Sequence, residues 1–141
     1  MNEIIDIYSD ACMGNADAMA FMLSFHAYCH LIDDVVDGDV ERSDENLFKI
    51  LMHANALYST PFYLSNAWRL QPVIASITST YADSVAWEKS DVKWKRDVAD
   101  IIRMCGNDMI TTIAWIVGGW PHMRSISLRL REAAYHSQHQ I

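Results

Sequence analysis

Apolar residues recur at helical spacing along nearly the whole chain, and polar caps and helix breakers divide the pattern into segments. Residues 2–12 predict a short first helix that stops near Gly14. Asn15 then stands as an N-cap before a second helix from Ala16 to about Asp37, where Gly38 ends it. Ser43, followed by Asp44, Glu45 and Asn46, predicts a third helix that continues to about Ser59. Thr60-Pro61 reads as the N-cap and first helical position of a short segment to Leu70, and Gln71-Pro72 restarts the chain. Val73, Ile74, Ile77, Tyr81 and Val85 then mark one apolar face up to about Glu88. Ser90 predicts the cap of a helix from Asp91 to about Val117, softly broken at Gly106 and ended by Gly118-Gly119. Pro121 opens the last helix. No period-2 alternation competes, so the expectation is a single all-α domain over residues 1–141, a bundle of about five or six helices.

Composition narrows the function classes. Hydrophobic residues make up 51% of the 141, which argues against disorder, and five glycines with three prolines are too few to punctuate a many-stranded sandwich. The net charge of -7 argues against a nucleic-acid groove binder, whose affinity rests on Lys and Arg against phosphates. Cys12, Cys29 and Cys105 are odd in number and form no CxxC pair, so neither a disulfide framework nor a cysteine zinc site is expected. The strongly apolar stretch from Met109 to Trp120 falls short of the roughly 20 residues a membrane span needs. The N-terminus has neither a basic region nor a long apolar run, so a cytoplasmic protein without a membrane span is expected.

The candidate chemistry begins at the end of the second helix. Asp33 and Asp37 are four apart and share one face, with Asp34 about 100° around from Asp33. His30 and His26 continue the stripe backwards. Like charges at i,i+4 cost about 0.2–0.5 kcal/mol, and each acid at the negative end of a helix costs about 0.3–1 kcal/mol. No Lys or Arg occurs in the first 41 residues to offset them. A sequence that breaks local rules this consistently often does so at a functional site, and a divalent cation would remove the conflict. A solvated helix end is the plain alternative, although Leu31, Ile32, Val35 and Val36 flank the acids with apolar surface.

A second polar stripe is expected on the helix from Asp91 to Val117. Asp97, Asp100, Met104, Asn107 or Asp108, and Thr111 follow one another at spacings of three and four, with Arg96 and Arg103 alongside. The alternative is a surface stripe with ordinary Asp–Arg pairing. Oxygen ligands on two helices, without cysteine or a Glu-x-x-His repeat, favour Mg²⁺, with Mn²⁺ as its substitute, over zinc or a di-iron centre. Magnesium held this way leaves coordination places for water and phosphate oxygens, so a small phosphorylated molecule is the expected ligand.

The stretch Tyr28-Cys29-His30-Leu31-Ile32-Asp33-Asp34-Val35-Val36-Asp37-Gly38 resembles the first Asp-rich motif of class I isoprenoid synthases, especially the squalene and phytoene synthase branch. The resemblance implies an all-α fold in which two acid-rich helices hold Mg²⁺ ions on a substrate diphosphate. It makes Asp33, Asp34 and Asp37 the first metal-binding set. Asn107, Asp108 and Thr111 match three positions of the second motif of related terpene cyclases, where Trp115 replaces the final glutamate. Arg103, four residues before Asn107, and His30, where the head-to-head synthases carry arginine, become the expected ligand contacts. Those synthases are longer chains, so the implied activity is diphosphate binding in a reduced synthase-like bundle rather than complete prenyl transfer.

Other readings compete. All-α nucleotide pyrophosphohydrolases are similar in size and acidity, but their motifs are richer in glutamate than Asp34-x-x-Asp37 and Asp97-x-x-Asp100. Asp33, Asp37, Gly38, Val40 and Asp44 fall at positions of a calcium-binding EF-hand loop, with Val35 where an oxygen ligand is needed. A non-catalytic helical interaction protein is the remaining class. Five Trp, six Tyr, four Phe and eight Met exceed what one small core would hold, and a homodimer would cover the surplus.

Overall fold

The computed structural model describes the backbone of residues 2–139 and the side chains of residues 3–135. Its regular elements are helices throughout, so the all-α expectation holds. In chain order they are α1 (Asn2–Cys12), α2 (Ala16–Asp37), α3 (Asp44–Tyr58), α4 (Pro61–Trp87), α5 (Lys93–Ile102), a 3₁₀ turn (Arg103–Gly106) and α6 (Asn107–His139). The chain divides into two compact units. One joins Met1–Met13 to Trp68–Ile141, and the other is Gly14–Ala67. No helix among the described residues is long and apolar enough to cross a membrane.

In the Gly14–Ala67 unit, Asn15 caps α2 as expected, its side-chain oxygen accepting from the Ala18 amide at 3.0 Å. Ala18, Phe21, Met22 and Phe25 form the buried face, at spacings of three and four. Phe21 is fully buried, and its ring meets those of Phe25, Phe62 and Tyr63 at centroid distances of 6.2, 5.7 and 6.2 Å. Gly38 ends the helix in the left-handed region (φ 80°), where its amide reaches the Asp34 and Val35 carbonyls. Ser43 Oγ accepts from the Asn46 amide at 3.1 Å and starts α3, which packs on α2. Thr60 departs from expectation. Its carbonyl accepts the first bond of α4, but its hydroxyl donates backwards to Leu57 O at 2.8 Å, closing α3 instead of capping α4.

The break expected at Gln71-Pro72 lies elsewhere. Pro72 sits inside α4, and the non-helical residue is Asn66 (φ -128°, ψ 18°). Asn66 Nδ2 donates to Phe62 O at 3.0 Å, so the amide side chain competes with the backbone for that carbonyl and the bend forms upstream of the proline.

In the other unit α1 packs on α6 through Ile7, Ala11 and Cys12, all buried. His122 Nε2 lies 3.1 Å from Ala11 O, and Arg129 pairs with Asp10 at 2.8 Å. A Cβ on Gly118 would stand 2.6 Å from Met13 Sδ, just beyond α1, and 2.7 Å from His122 Cβ one turn further along α6, so a side chain here would crowd both. The expected stop at Gly118-Gly119 appears as a kink at Gly119 (φ 77°), with Pro121 in the first turn beyond it. None of the five tryptophans is buried.

Candidate functional site

Asp33, Asp34 and Asp37 occupy the last turn and a half of α2. Asp33 and Asp34 are half-buried beside half-buried Leu31, Ile32, Val35 and Val36, whereas Asp37 is exposed. The Asp34 carbonyl accepts from the Gly38, Asp39 and Val40 amides, so the backbone turns sharply directly after the acids. The last turn of α2 contains no basic residue. This geometry corrects the calcium-loop reading. Residues 33–37 are helical, so Asp33 and Asp37 cannot wrap an ion as the opening positions of an EF-hand loop do.

Among the described residues no group of three or more His, Cys, Asp or Glu side chains is gathered to hold a metal ion. A carboxylate pair one turn apart, open to solvent on the Asp37 side, suits a hard cation that keeps most of its waters. Mg²⁺ is commonly held by one or two carboxylates plus phosphate oxygens, not by an all-protein cage.

The second stripe is not one helical face. The 3₁₀ turn at Arg103–Gly106 stands between Asp97 and Asp100 on α5 and Asn107, Asp108 and Thr111 on α6. A 3₁₀ turn advances about 120° per residue and an α-helix about 100°, so the register assumed from the spacing is lost across it. Asp97 is exposed and pairs with Lys93 at 2.6 Å, one turn before it, while Asp100 is exposed. Asn107 and Asp108 open α6, where an acid interacts favourably with the helix dipole. Thr111 and Thr112 both donate to Asp108 O, at 3.1 and 2.7 Å. Asn107, Asp108 and Thr111 belong to one compact unit, and Asp33, Asp34 and Asp37 to the other.

Arg103, expected to contact ligand, is committed within its own unit. Its guanidinium pairs with Glu88 at 2.5 Å, donates from Nε to Ser84 Oγ at 3.0 Å and lies 5.0 Å from the Tyr81 ring centroid. Ser84 is fully buried and donates in turn to Tyr81 O. His30 is exposed, with its ring 5.3 Å from that of His26 in an edge-on arrangement. Desolvation and the His30 ring together hold the His26 pKa below 6.5. No disulfide joins Cys12, Cys29 and Cys105. Burial pushes the Cys12 thiol up to about 11, and burial followed by the nearby Asp108 raises that of Cys105, so neither is an activated nucleophile.

Sequence reasoning missed one cluster, in which Arg69 on α4 lies against Trp68 and against Trp115 of α6. The adjacency of Trp68 and Arg69 was a visible signal, but only tertiary packing joins Trp115 to them. A scan against family models and searches of curated proteins and of solved structures return no match for this chain.

Proposed function

We propose that the C-terminal end of α2 binds a divalent cation of the magnesium type through the Asp33 and Asp37 pair, with Asp34 adding negative charge beside it, and offers it to the phosphate groups of a small ligand. The observation that carries this reading is three carboxylates in the last turn and a half of one helix, two of them half-buried. Like-charge repulsion and the negative helix end both oppose that arrangement, and a bound cation reverses both effects. Oxygen-only donors favour Mg²⁺, with Mn²⁺ as its substitute. The resemblance of residues 28–38 to the first Asp-rich motif of isoprenoid synthases supports a diphosphate as the ligand. His30, one turn before the acids and exposed, is the phosphate contact this reading retains. Arg103 leaves it, since Glu88 and Ser84 already occupy its donors.

Thermal unfolding with and without Mg²⁺ tests the reading. Saturating cation stabilises the wild type, by about 2.7 kcal/mol at 100 times its Kd. In the variant carrying Asp33→Asn and Asp37→Asn that gain disappears, while metal-free stability is unchanged or higher because the repulsion is gone. Equal shifts in the two proteins would remove the metal site.

A second reading, a helical protein that pairs with its own copy, is favoured by a different observation. Leu47, Phe48, Leu51 and Met52 are 52, 61, 57 and 64% exposed along α3. A contiguous apolar helix face of this kind is the surface that association covers. A stable dimer would bury at least about 1,200 Å² in total.

A further inference from the structure

Among the described residues no acid pairs with the charge of Arg69. Its guanidinium carbon stands 4.5 Å from the Trp68 ring centroid and 5.8 Å from that of Trp115. Its Nε is buried and meets no hydrogen-bond acceptor, and among the described residues no carboxylate pairs with it. Arginine cannot shed its proton in a protein, so neutralisation is not open to it. Buried donors on charged groups are rarely left without a partner, and an exception calls for an explanation. Arg103 in the same unit shows the ordinary solution, with Glu88 and Ser84 taking its donors.

The two indoles add a second observation. Trp68 is 72% exposed and Trp115 is 46% exposed, so each touches the cation and still presents aromatic surface to solvent. The terminal N–H groups of the guanidinium, beside two partly exposed indoles, match a ligand that carries an anion and a flat ring together. Guanidinium recognises phosphate oxygens in a bidentate manner, and tryptophan faces stack on planar bases whatever their sequence of ring substituents.

We propose that Arg69, Trp68 and Trp115 bind a small aromatic phosphate of the nucleoside-monophosphate class. The phosphate accepts hydrogen bonds from the Arg69 guanidinium, and the ring stacks on an exposed indole. The site lies within one compact unit and needs no metal, so it stands apart from the cation reading of α2.

Calorimetric titration of the full chain in EDTA tests it, with AMP, adenosine, inorganic phosphate and indole-3-acetate as probes. AMP should bind at least tenfold more tightly than adenosine or phosphate alone. Arg69→Gln should lower AMP affinity at least tenfold and leave adenosine unchanged, while Trp68→Ala should weaken both. Far-ultraviolet circular dichroism and the unfolding midpoint of each variant establish that it remains folded, and Arg69→Lys, which keeps the charge without the fork, should fall between wild type and Gln. No heat of binding with AMP up to millimolar concentration would overturn the proposal. So would equal AMP affinity in wild type and folded Arg69→Gln, or tighter binding of indole-3-acetate than of AMP.

Discussion

The α1–α6 contact and the surface of α3 use apolar residues in opposite ways. Along α1 the apolar face is closed: Ile7, Ala11 and Cys12 are 2, 0 and 1% exposed. Beside that contact, even a methyl group on Gly118 would collide with Met13, just beyond α1, and with His122 one turn along α6. Along α3, in the other unit, Leu57 is the one fully buried residue of the helix, whereas Leu47, Phe48, Leu51 and Met52 stay open. The α1–α6 contact uses its apolar area to hold its own unit together. Most of the large apolar side chains of α3 do no such work within the chain, and the acid-rich end of α2, a few residues before α3, also departs from what local stability favours. Association is therefore to be sought along α3, where apolar area is left open, and not at the α1–α6 contact, where it is already closed.

The largest effect should come from removing the aromatic centre of the Gly14–Ala67 unit. Phe21→Ala takes away a fully buried ring that meets Phe25, Phe62 and Tyr63, and should cost about 3–5 kcal/mol in urea unfolding. A loss below 1 kcal/mol would mean that the Gly14–Ala67 unit lacks the core assigned to it. Next, Gly118→Ala should cost about 1–3 kcal/mol by crowding Met13 and His122. A neutral result would show that the Met13 and His122 side chains yield easily, so that the packing beside the α1–α6 contact is loose.

Charging the open face should do the reverse. Phe48→Glu with Leu51→Glu should change unfolding stability by no more than about 0.5 kcal/mol per site, as for ordinary surface positions. The same pair should convert any dimer seen by sedimentation at micromolar concentration to monomer, and a wild type that already sediments as monomer would end the pairing reading. The smallest effect concerns His26. Its pKa in the folded chain lies below 6.5, so on acidification the unfolded chain binds its proton first and stability falls as pH drops through that range. His26→Gln should flatten the dependence of the unfolding midpoint between pH 7.5 and 5, and an unchanged slope would place the pH sensitivity elsewhere.

Much of the fold was legible because capping is local. Asn15, Gly38 and Ser43 delimit α2 and α3 at the residues the sequence marked, and α1 ends where its apolar spacing stops. The misplaced break in α4 has a local cause of another kind, since Asn66 bends the chain through a side-chain bond to Phe62 O that no spacing rule foresees. The second polar stripe failed for a geometric reason. One 3₁₀ turn shifts the angular register, and what reads as a single face in sequence becomes two short segments. At the candidate site the acids of α2 were visible as a charge conflict, but the commitment of Arg103 to Glu88, fifteen residues away, and the meeting of Arg69 with Trp115 are tertiary facts. Side chains distant in sequence leave no periodic trace.

The account rests most heavily on a cation at the end of α2, and counting bound Mn²⁺ by electron paramagnetic resonance measures it directly. Free Mn²⁺ gives a sharp signal that is lost on binding, so titrating the protein gives the number of sites and their affinity without reference to stability. The wild type should remove about one Mn²⁺ per chain, Mg²⁺ should release it, and inorganic pyrophosphate should tighten it, because a cation held by one or two carboxylates keeps places for phosphate oxygens. The variant carrying Asp33→Asn and Asp37→Asn should leave the signal at the level of free metal. Equal Mn²⁺ uptake by the two proteins, or none by the wild type at millimolar metal, would contradict the account.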